Sequence, residues 1–267
     1  MSILNNVKKL LPKAPRITVF GKPGVGKSTL AASFPDPLFL LTEETGLVGV
    51  NALDVQTRFE GMWDNVTQLL ALESIPFKTI VLDSISKFDA LVVQYILENE
   101  KPDKNGHKAT TLNTACGGYG AGALRAQSLH RAFKAKMDKF QERGITVVYV
   151  AHCGISKIKA PDAEDYDMFS IVMSNDKCKE PYVDDVDFVG FCKLRSFTTE
   201  TDSGRNIVKS TDERVIITGV NDAHVSKNRF AMPNELPMKF SEIAKYIPFY
   251  NKEPVKTAQV QPKEKTK

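Results

Sequence analysis

The chain has 267 residues, 42% hydrophobic and 25% charged, a balance that supports one sizeable buried core and excludes a low-complexity or fibrous chain. Its net charge of +4 is too mild to identify a nucleic-acid surface, because only clustered charge makes one. Cys116, Cys153, Cys178 and Cys192 form no C-x-x-C pair and no zinc spacing, which fits a reducing, cytoplasmic setting, and no apolar run approaches membrane-spanning length.

Residues 1–15 read as a lead-in, with Pro12 and Pro15 ahead of a β-branched run, Arg16 to Phe20, that predicts a buried strand. The strand feeds into Gly21-Lys22-Pro23-Gly24-Val25-Gly26-Lys27-Ser28-Thr29, a G-x-x-x-x-G-K-S loop, and then into a short helix ended by Pro35 and Pro37. Backbone N–H groups must wrap a phosphate chain closely, so glycines are needed where side chains would block approach. Lys27 is placed to reach the β- and γ-phosphates of ATP, and the Ser28 hydroxyl to ligate Mg²⁺.

Leu38 to Thr42 predicts a second buried strand, ending in Glu43 and Glu44. A carboxylate at that strand tip can polarise a water for attack on the γ-phosphate, and an acidic surface loop accounts for it equally well. Asp54 to Phe59 predicts a short edge strand and Gly61 to Glu73 a helix, with Trp63 as packing. Lys78 to Asp83 is an apolar run ending in Asp, a Walker B pattern whose Asp83 holds Mg²⁺. No Glu follows Asp83, unlike the usual pattern of AAA-type enzymes, so the base must come from elsewhere: Glu44 first, Glu43 second.

Ser86 to Asn99 predicts a helix, with Phe88, Val92 and Ile96 on one face. Residues 100–122 predict a long loop, either a flexible insertion or a substrate loop carrying Tyr119 among glycines. Ala123 to Arg143 predicts an amphipathic, basic helix with Leu129, Phe133, Met137 and Phe140 inward, capped by Gly144. Ile145 to Ala151 predicts another buried strand; His152 at its tip is either a structural group or a sensor of the γ-phosphate.

From Cys153 to about Val186 the mixed charges suggest a second substrate loop. Strands follow near 186–197 and 214–220, separated by a turn at 201–206, as an antiparallel extension of the sheet. Lys227 and Arg229 are either surface charges or cations that reach a neighbour's nucleotide. A short helix at 240–246 closes the fold, and residues from 249 on form a basic tail expected to be disordered.

In this order, the motifs resemble the RecA-like core ATPases, and more closely the phage-encoded P-loop proteins that include single-strand annealing proteins, over roughly residues 16–248. The resemblance implies a mainly parallel α/β sheet flanked by helices and hydrolysis of ATP with Mg²⁺ at Ser28 and Asp83. It also implies Glu44 as the base, from Glu44-Thr45-Gly46-Leu47, and His152 as the sensor, where RecA carries Gln. Lys227 and Arg229 would act between subunits of a ring or filament. Single-stranded DNA is the implied partner, with a single-strand DNA-binding protein as a further one, in the host cytoplasm if the chain is phage-encoded.

Two other readings stand beside strand annealing. One is an ATP-driven protein assembly or remodelling factor, against which the missing Walker B Glu weighs. The other is a P-loop small-molecule kinase, whose lid Arg195, Arg205 and Arg214 do not form in sequence.

Overall fold

The structure is a computed structural model that describes residues 7, 9–102, 105–159, 164–200 and 206–251. Residues 1–6 and 8 of the lead-in, Lys104, Asp162, the turn at 201–205 with Arg205, and the basic tail beyond 251 lie outside the described residues.

Five strands form the parallel heart of a mixed sheet: β1 (Arg16–Gly21), β2 (Pro37–Leu41), β3 (Asn51–Ala52), β4 (Thr79–Asp83) and β5 (Thr146–Ile158). β6 (Tyr166–Ile171) folds back antiparallel on β5. β7 (Phe188–Glu200) runs parallel to β1 and then pairs antiparallel with β8 (Asn206–Ile217), which in turn pairs with β10 (Glu235–Pro237). The short β9 (Lys227–Asn228) pairs with the start of β7. The main path is β10-β8-β7-β1-β5-β4-β2-β3, so the expected antiparallel extension lies on the far side of β7.

Helices cover both faces because β1, β2, β4 and β5 are apolar on both. In β1, Ile17 and Val19 point to a core shared with α1 (Lys27–Ala32) and α6 (Phe240–Ala244). Phe20 points to the opposite core, shared with α2 (Phe59–Ala71), α3 (Ile85–Asn99), α4 (Ala121–Glu142) and α5 (Asp176–Val183). The expected stripe of α4 meets that of α3 directly, with the Phe88 and Phe133 rings 4.2 Å apart. Truncating Phe133 to Ala there removes packing worth about 3–5 kcal/mol.

Several expected elements are redrawn. The edge strand foreseen at 54–59 is instead Asn51–Ala52, and α2 starts at Phe59, whose ring is buried against Phe88 and Tyr95. The second loop is a hairpin followed by a helix: β5 runs seven residues past Ala151 to Ile158, β6 returns, and α5 follows. Both faces of that hairpin are partly open, so it carries no apolar alternation for a sequence reading to find. α5 was further masked by Pro181, a residue normally excluded from helix interiors.

Under α4, a buried polar network links three helices. His130 faces Asp89 at 3.0 Å through Nε2 and the Tyr182 hydroxyl at 3.0 Å through Nδ1. Asp89 also accepts from the Ser174 N–H and hydroxyl, at 2.6 and 2.9 Å. Each member has a partner, so the network fixes one packing of α3, α4 and α5 instead of leaving buried charge exposed to alternatives.

At the opposite edge of the sheet, the Asp187 carboxylate accepts from the Arg16 backbone N–H at 2.9 Å and from Arg16 Nε at 3.3 Å, which ties the start of β1 to the start of β7. Burial would raise the Asp187 pKa, but the hydrogen bonds and charge of Arg16, with the charge of Arg229, hold it below the usual carboxylate value. A depressed folded pKa adds stability above the unfolded pKa, and that stability is lost as pH falls through the folded one. Asp187→Asn is therefore expected to cost about 1–3 kcal/mol near neutral pH. The deficit should shrink as denaturation is followed from about pH 7 down to about pH 2.5, and a constant deficit would remove this account.

Candidate nucleotide site

The carboxyl ends of β1, β2, β4 and β5 converge because β5 sits between β1 and β4, with Gly21 opposite His152 and Asp83 opposite Val150. The loop after β1 turns back at Gly24 and Gly26, both in the left-handed region (φ +76° and +97°). At Gly26 the positive φ requires glycine, and the Arg214 and Met238 side-chain ends come within 2.9 and 3.1 Å of where a Cβ would be. Val25 is buried beneath the loop while Lys22, Pro23 and Thr29 are exposed.

Lys27, the first residue of α1, is buried and donates to the carbonyls of Gly21 and Lys22 at 3.0 and 3.1 Å. Its pKa is lowered, with burial the main cause, against the raising effects of nearby Cys192 and Asp83. The Ser28 hydroxyl donates to Asp83 Oδ2 at 2.6 Å. Burial pushes the Asp83 carboxyl up and the nearby Glu43 adds to it, while the Ser28 hydrogen bond acts the other way. A hydroxyl and a buried carboxylate in contact are oxygen donors of the kind a hard divalent cation takes, so Ser28 and Asp83 fit Mg²⁺.

The tips of β2 and β4 are stitched together by residues that the sequence reading did not single out. Thr42 Oγ1 accepts from the Ser84 N–H at 2.8 Å and donates to the Ser84 carbonyl at 3.0 Å. The Ser84 hydroxyl then donates to Glu43 Oε1 at 2.8 Å, and His152 Nε2 lies 2.8 Å from the same oxygen. The His152 backbone N–H is itself held by the Ser86 hydroxyl at 3.0 Å, in the first turn of α3. Sequence spacing ranked Glu44 ahead of Glu43. It is Glu43 that the structure brings together with Ser84 and His152, because Glu44 is the next residue along and its side chain is exposed. Glu44 lines the same pocket, with no hydrogen bond or ion pair among the described residues.

Lys227 and Arg229 fall elsewhere. β9 pairs with Phe188 and Val189 at the start of β7, so both cations sit at the amino end of the parallel strands, about 10–17 Å of strand away from the P-loop of the same chain. There Lys227 Nζ donates to the Asp184 carbonyl, and Arg229 pairs with Asp187 at 3.1 Å. Arg214 of β8 does face the loop: it lines both pockets that Gly26 borders and has no ion-pair partner among the described residues. Its strand neighbour Arg195 is the one bound by Glu213 and Glu235. The sequence offers Arg214 only among three arginines that form no kinase lid; the pairing of β8 beyond β7 brings it to the P-loop.

A protein-family profile described as an AAA domain (AAA_24) matches residues 13–230. No curated protein matches the chain. Among solved structures, the chain is similar to flagellar accessory protein FlaH from Methanocaldococcus jannaschii, at 11% identity over 78% of this chain and 86% of that one. The TM-score of that pair is 0.37, a likeness too loose to carry an argument.

Proposed function

The chain belongs to this AAA-domain family, and from that premise we propose an ATPase of RecA-like type that couples nucleotide turnover to the assembly or remodelling of a protein partner. Family membership makes the chain an ATP-binding ATPase with a P-loop α/β fold. It is so with Ser84, not Glu, after Asp83, so the missing Walker B Glu does not weigh against an AAA-type protein as the sequence reading expected. No helix among the described residues is long and apolar enough to cross a membrane.

The observation that carries the mechanism is the Glu43–Ser84–His152 contact beside the Ser28–Asp83 pair. In the proposed mechanism the backbone of Gly21 to Thr29 cradles the phosphates, Lys27 moves from the loop carbonyls to the β- and γ-phosphates, and Ser28 and Asp83 hold Mg²⁺. Mg²⁺ held by Ser28 and Asp83 would offset the negative charge of the phosphates. Glu43, oriented by Ser84, positions the attacking water and takes its proton. Arg214 of the same chain supplies positive charge to the transition state, because it lines the pocket beside Gly26 with no ion-pair partner among the described residues.

The preference for a protein partner rests on the β5–β6 hairpin. Its exposed face carries apolar Ile155 with mixed charges, Lys157 and Lys159 against Asp165 and Asp167, rather than a basic stripe. The hairpin is also joined to the site: the His152 carbonyl accepts from the Val172 N–H at 3.0 Å, while its imidazole touches Glu43. A shift of Glu43 on loss of the γ-phosphate is thereby passed to the hairpin base. A homo-oligomeric ring or filament belongs to this reading. Strand annealing on single-stranded DNA, with an SSB-type protein as a further partner, is the competing reading.

Glu43→Gln is expected to lower kcat about 10²- to 10³-fold while nucleotide affinity stays within about threefold, and Glu44→Gln to leave kcat nearly unchanged. The opposite ranking would move the base to Glu44. Arg214→Ala should lower kcat about a hundredfold. Mixing it with Lys27→Ala chains should restore nothing; recovery on mixing would show that the cation acts across a subunit boundary. Steady-state hydrolysis, with Lys27→Ala as blank, is expected to be indifferent to single-stranded DNA at low and moderate salt. Stimulation by DNA that fades as salt rises would restore the annealing reading, since phosphate contacts release counterions.

A further inference from the structure

The buried network under α4 contains three side chains that the ATPase mechanism does not use. Asp89 of α3, His130 of α4 and Cys178 of α5 offer a carboxylate oxygen, an imidazole nitrogen and a sulfur, and these ligand atoms lie within 4.8 Å of one another. All three residues are buried, with exposures of 4%, 0% and 0%. No motif spacing announces the group, because its members come from separate helices and meet only where those helices pack.

Hydrogen bonds satisfy this cluster without neutralising it. Asp89 accepts from Ser174 and faces His130, yet among the described residues no Lys or Arg pairs with it. A buried carboxylate with no cation beside it is costly. Burial and the Asp89 charge push the Cys178 thiol up to about 11, so its proton stays on near neutral pH. One divalent cation changes both terms, since a carboxylate and a thiolate together match its charge and a neutral imidazole adds none. A further ring of partners already orients each ligand atom. The Tyr182 hydroxyl is 3.0 Å from His130 Nδ1, the Ser174 N–H donates to Asp89 Oδ2 at 2.6 Å, and the Asn175 amide donates to Cys178 Sγ at 3.0 Å. Metal ligands are held from behind in this way. Two ligands about 2.0 Å from a tetrahedral ion lie about 3.3 Å apart, and His130 Nε2 and Asp89 Oδ1 are 3.0 Å apart. The sulfur has to close by at most about 1.3 Å to reach the same ion.

We infer that Asp89 Oδ1, His130 Nε2 and Cys178 Sγ form a closed structural zinc site, with a water as the fourth ligand. The mixture of sulfur, nitrogen and oxygen donors selects zinc, whereas Mg²⁺ takes oxygen alone and is served by Ser28 and Asp83. On binding, the Cys178 thiol proton leaves to solvent, the ion takes the place of the proton between His130 Nε2 and Asp89, and His130 Nδ1–H donates to the Tyr182 hydroxyl. Nothing is oxidised or reduced. The ion pins α5 to α3 and α4 beside Ser174, which joins β6 to α5, and the inference does not rest on the ATPase reading. A metal-free hydrogen-bond network is the competing account. The two differ at Cys178, because Asp89 and His130 have hydrogen-bond partners without its sulfur.

The test uses the full chain, unfolded with a chelator, refolded with zinc and dialysed against excess Mg²⁺ and a non-hydrolysable ATP analogue, which keep zinc out of the P-loop. Elemental analysis is expected to find one equivalent of zinc per chain. X-ray absorption at the zinc edge should then show one sulfur at about 2.3 Å with nitrogen and oxygen ligands at about 2.0–2.1 Å. Cys178→Ser is expected to remove the sulfur signal and weaken zinc binding at least tenfold, while Cys153→Ser changes neither. Cobalt in place of zinc should give a sulfur-to-metal charge-transfer band that Cys178→Ser abolishes. If Cys178→Ser does not fold, the wild-type absorption spectrum still decides between one sulfur ligand and none. A refolded chain that holds no zinc, zinc bound by nitrogen and oxygen alone, or zinc binding indifferent to Cys178→Ser would overturn the site and leave the hydrogen-bond network standing.

Discussion

The structure depends on the position of β5, hydrogen-bonded along one edge to β1 and along the other to β4. Strand pairing at about 4.8 Å spacing then fixes what can meet at the sheet's carboxyl edge. The register sets His152 beside Gly21 and two residues past the level of Asp83, so the P-loop, the buried carboxylate and the imidazole share one end of three adjacent strands. β2, on the far side of β4, adds Glu43 to the same edge through the Thr42–Ser84 hydrogen bonds. A different strand order with the same motifs would leave these groups on separate surfaces.

The two ends of the parallel strands are used differently. The carboxyl end holds groups with few fixed partners, such as Glu44 and Arg214, around a loop that must accept an anion. The amino end is closed by ion pairs, with Asp187 shared between Arg16 and Arg229. That division is why two cations that look equivalent to Arg214 in composition, Lys227 and Arg229, are drawn into holding β1, β7 and β9 together.

Polar contacts also connect the nucleotide edge to the surface. His152 is held by Ser86 through its N–H, by Val172 through its carbonyl and by Glu43 through its ring, so one residue joins α3, the hairpin base and the candidate base. A few residues farther on, Ser174 binds Asp89 of α3, and Asp89 binds His130 of α4. The base of the hairpin is thus anchored in the buried core while Ile155 and Lys157, farther along β5, are exposed. The polar groups between that stretch and the site are satisfied in one arrangement.

The local signals were legible in the sequence. The G-x-x-x-x-G-K-S loop, the apolar run into Asp83, the stripes of α3 and α4 and the start of the strand that carries His152 each follow from periodicity, turn chemistry or motif spacing within a few residues. What lacks a local signal was not legible. Which of two adjacent carboxylates meets Ser84 and His152 depends on side-chain direction at a strand tip, and Arg214 reaches Gly26 only because β8 returns antiparallel beyond β7. The Asp89–His130–Cys178 cluster likewise joins residues from α3, α4 and α5, far apart in the chain. The sequence by itself determined the phosphate-binding loop and the central strands and helices with a clear apolar period, because those rest on interactions between near neighbours. Only the tertiary structure decided which side chains share a pocket, because that is set by strand order and register.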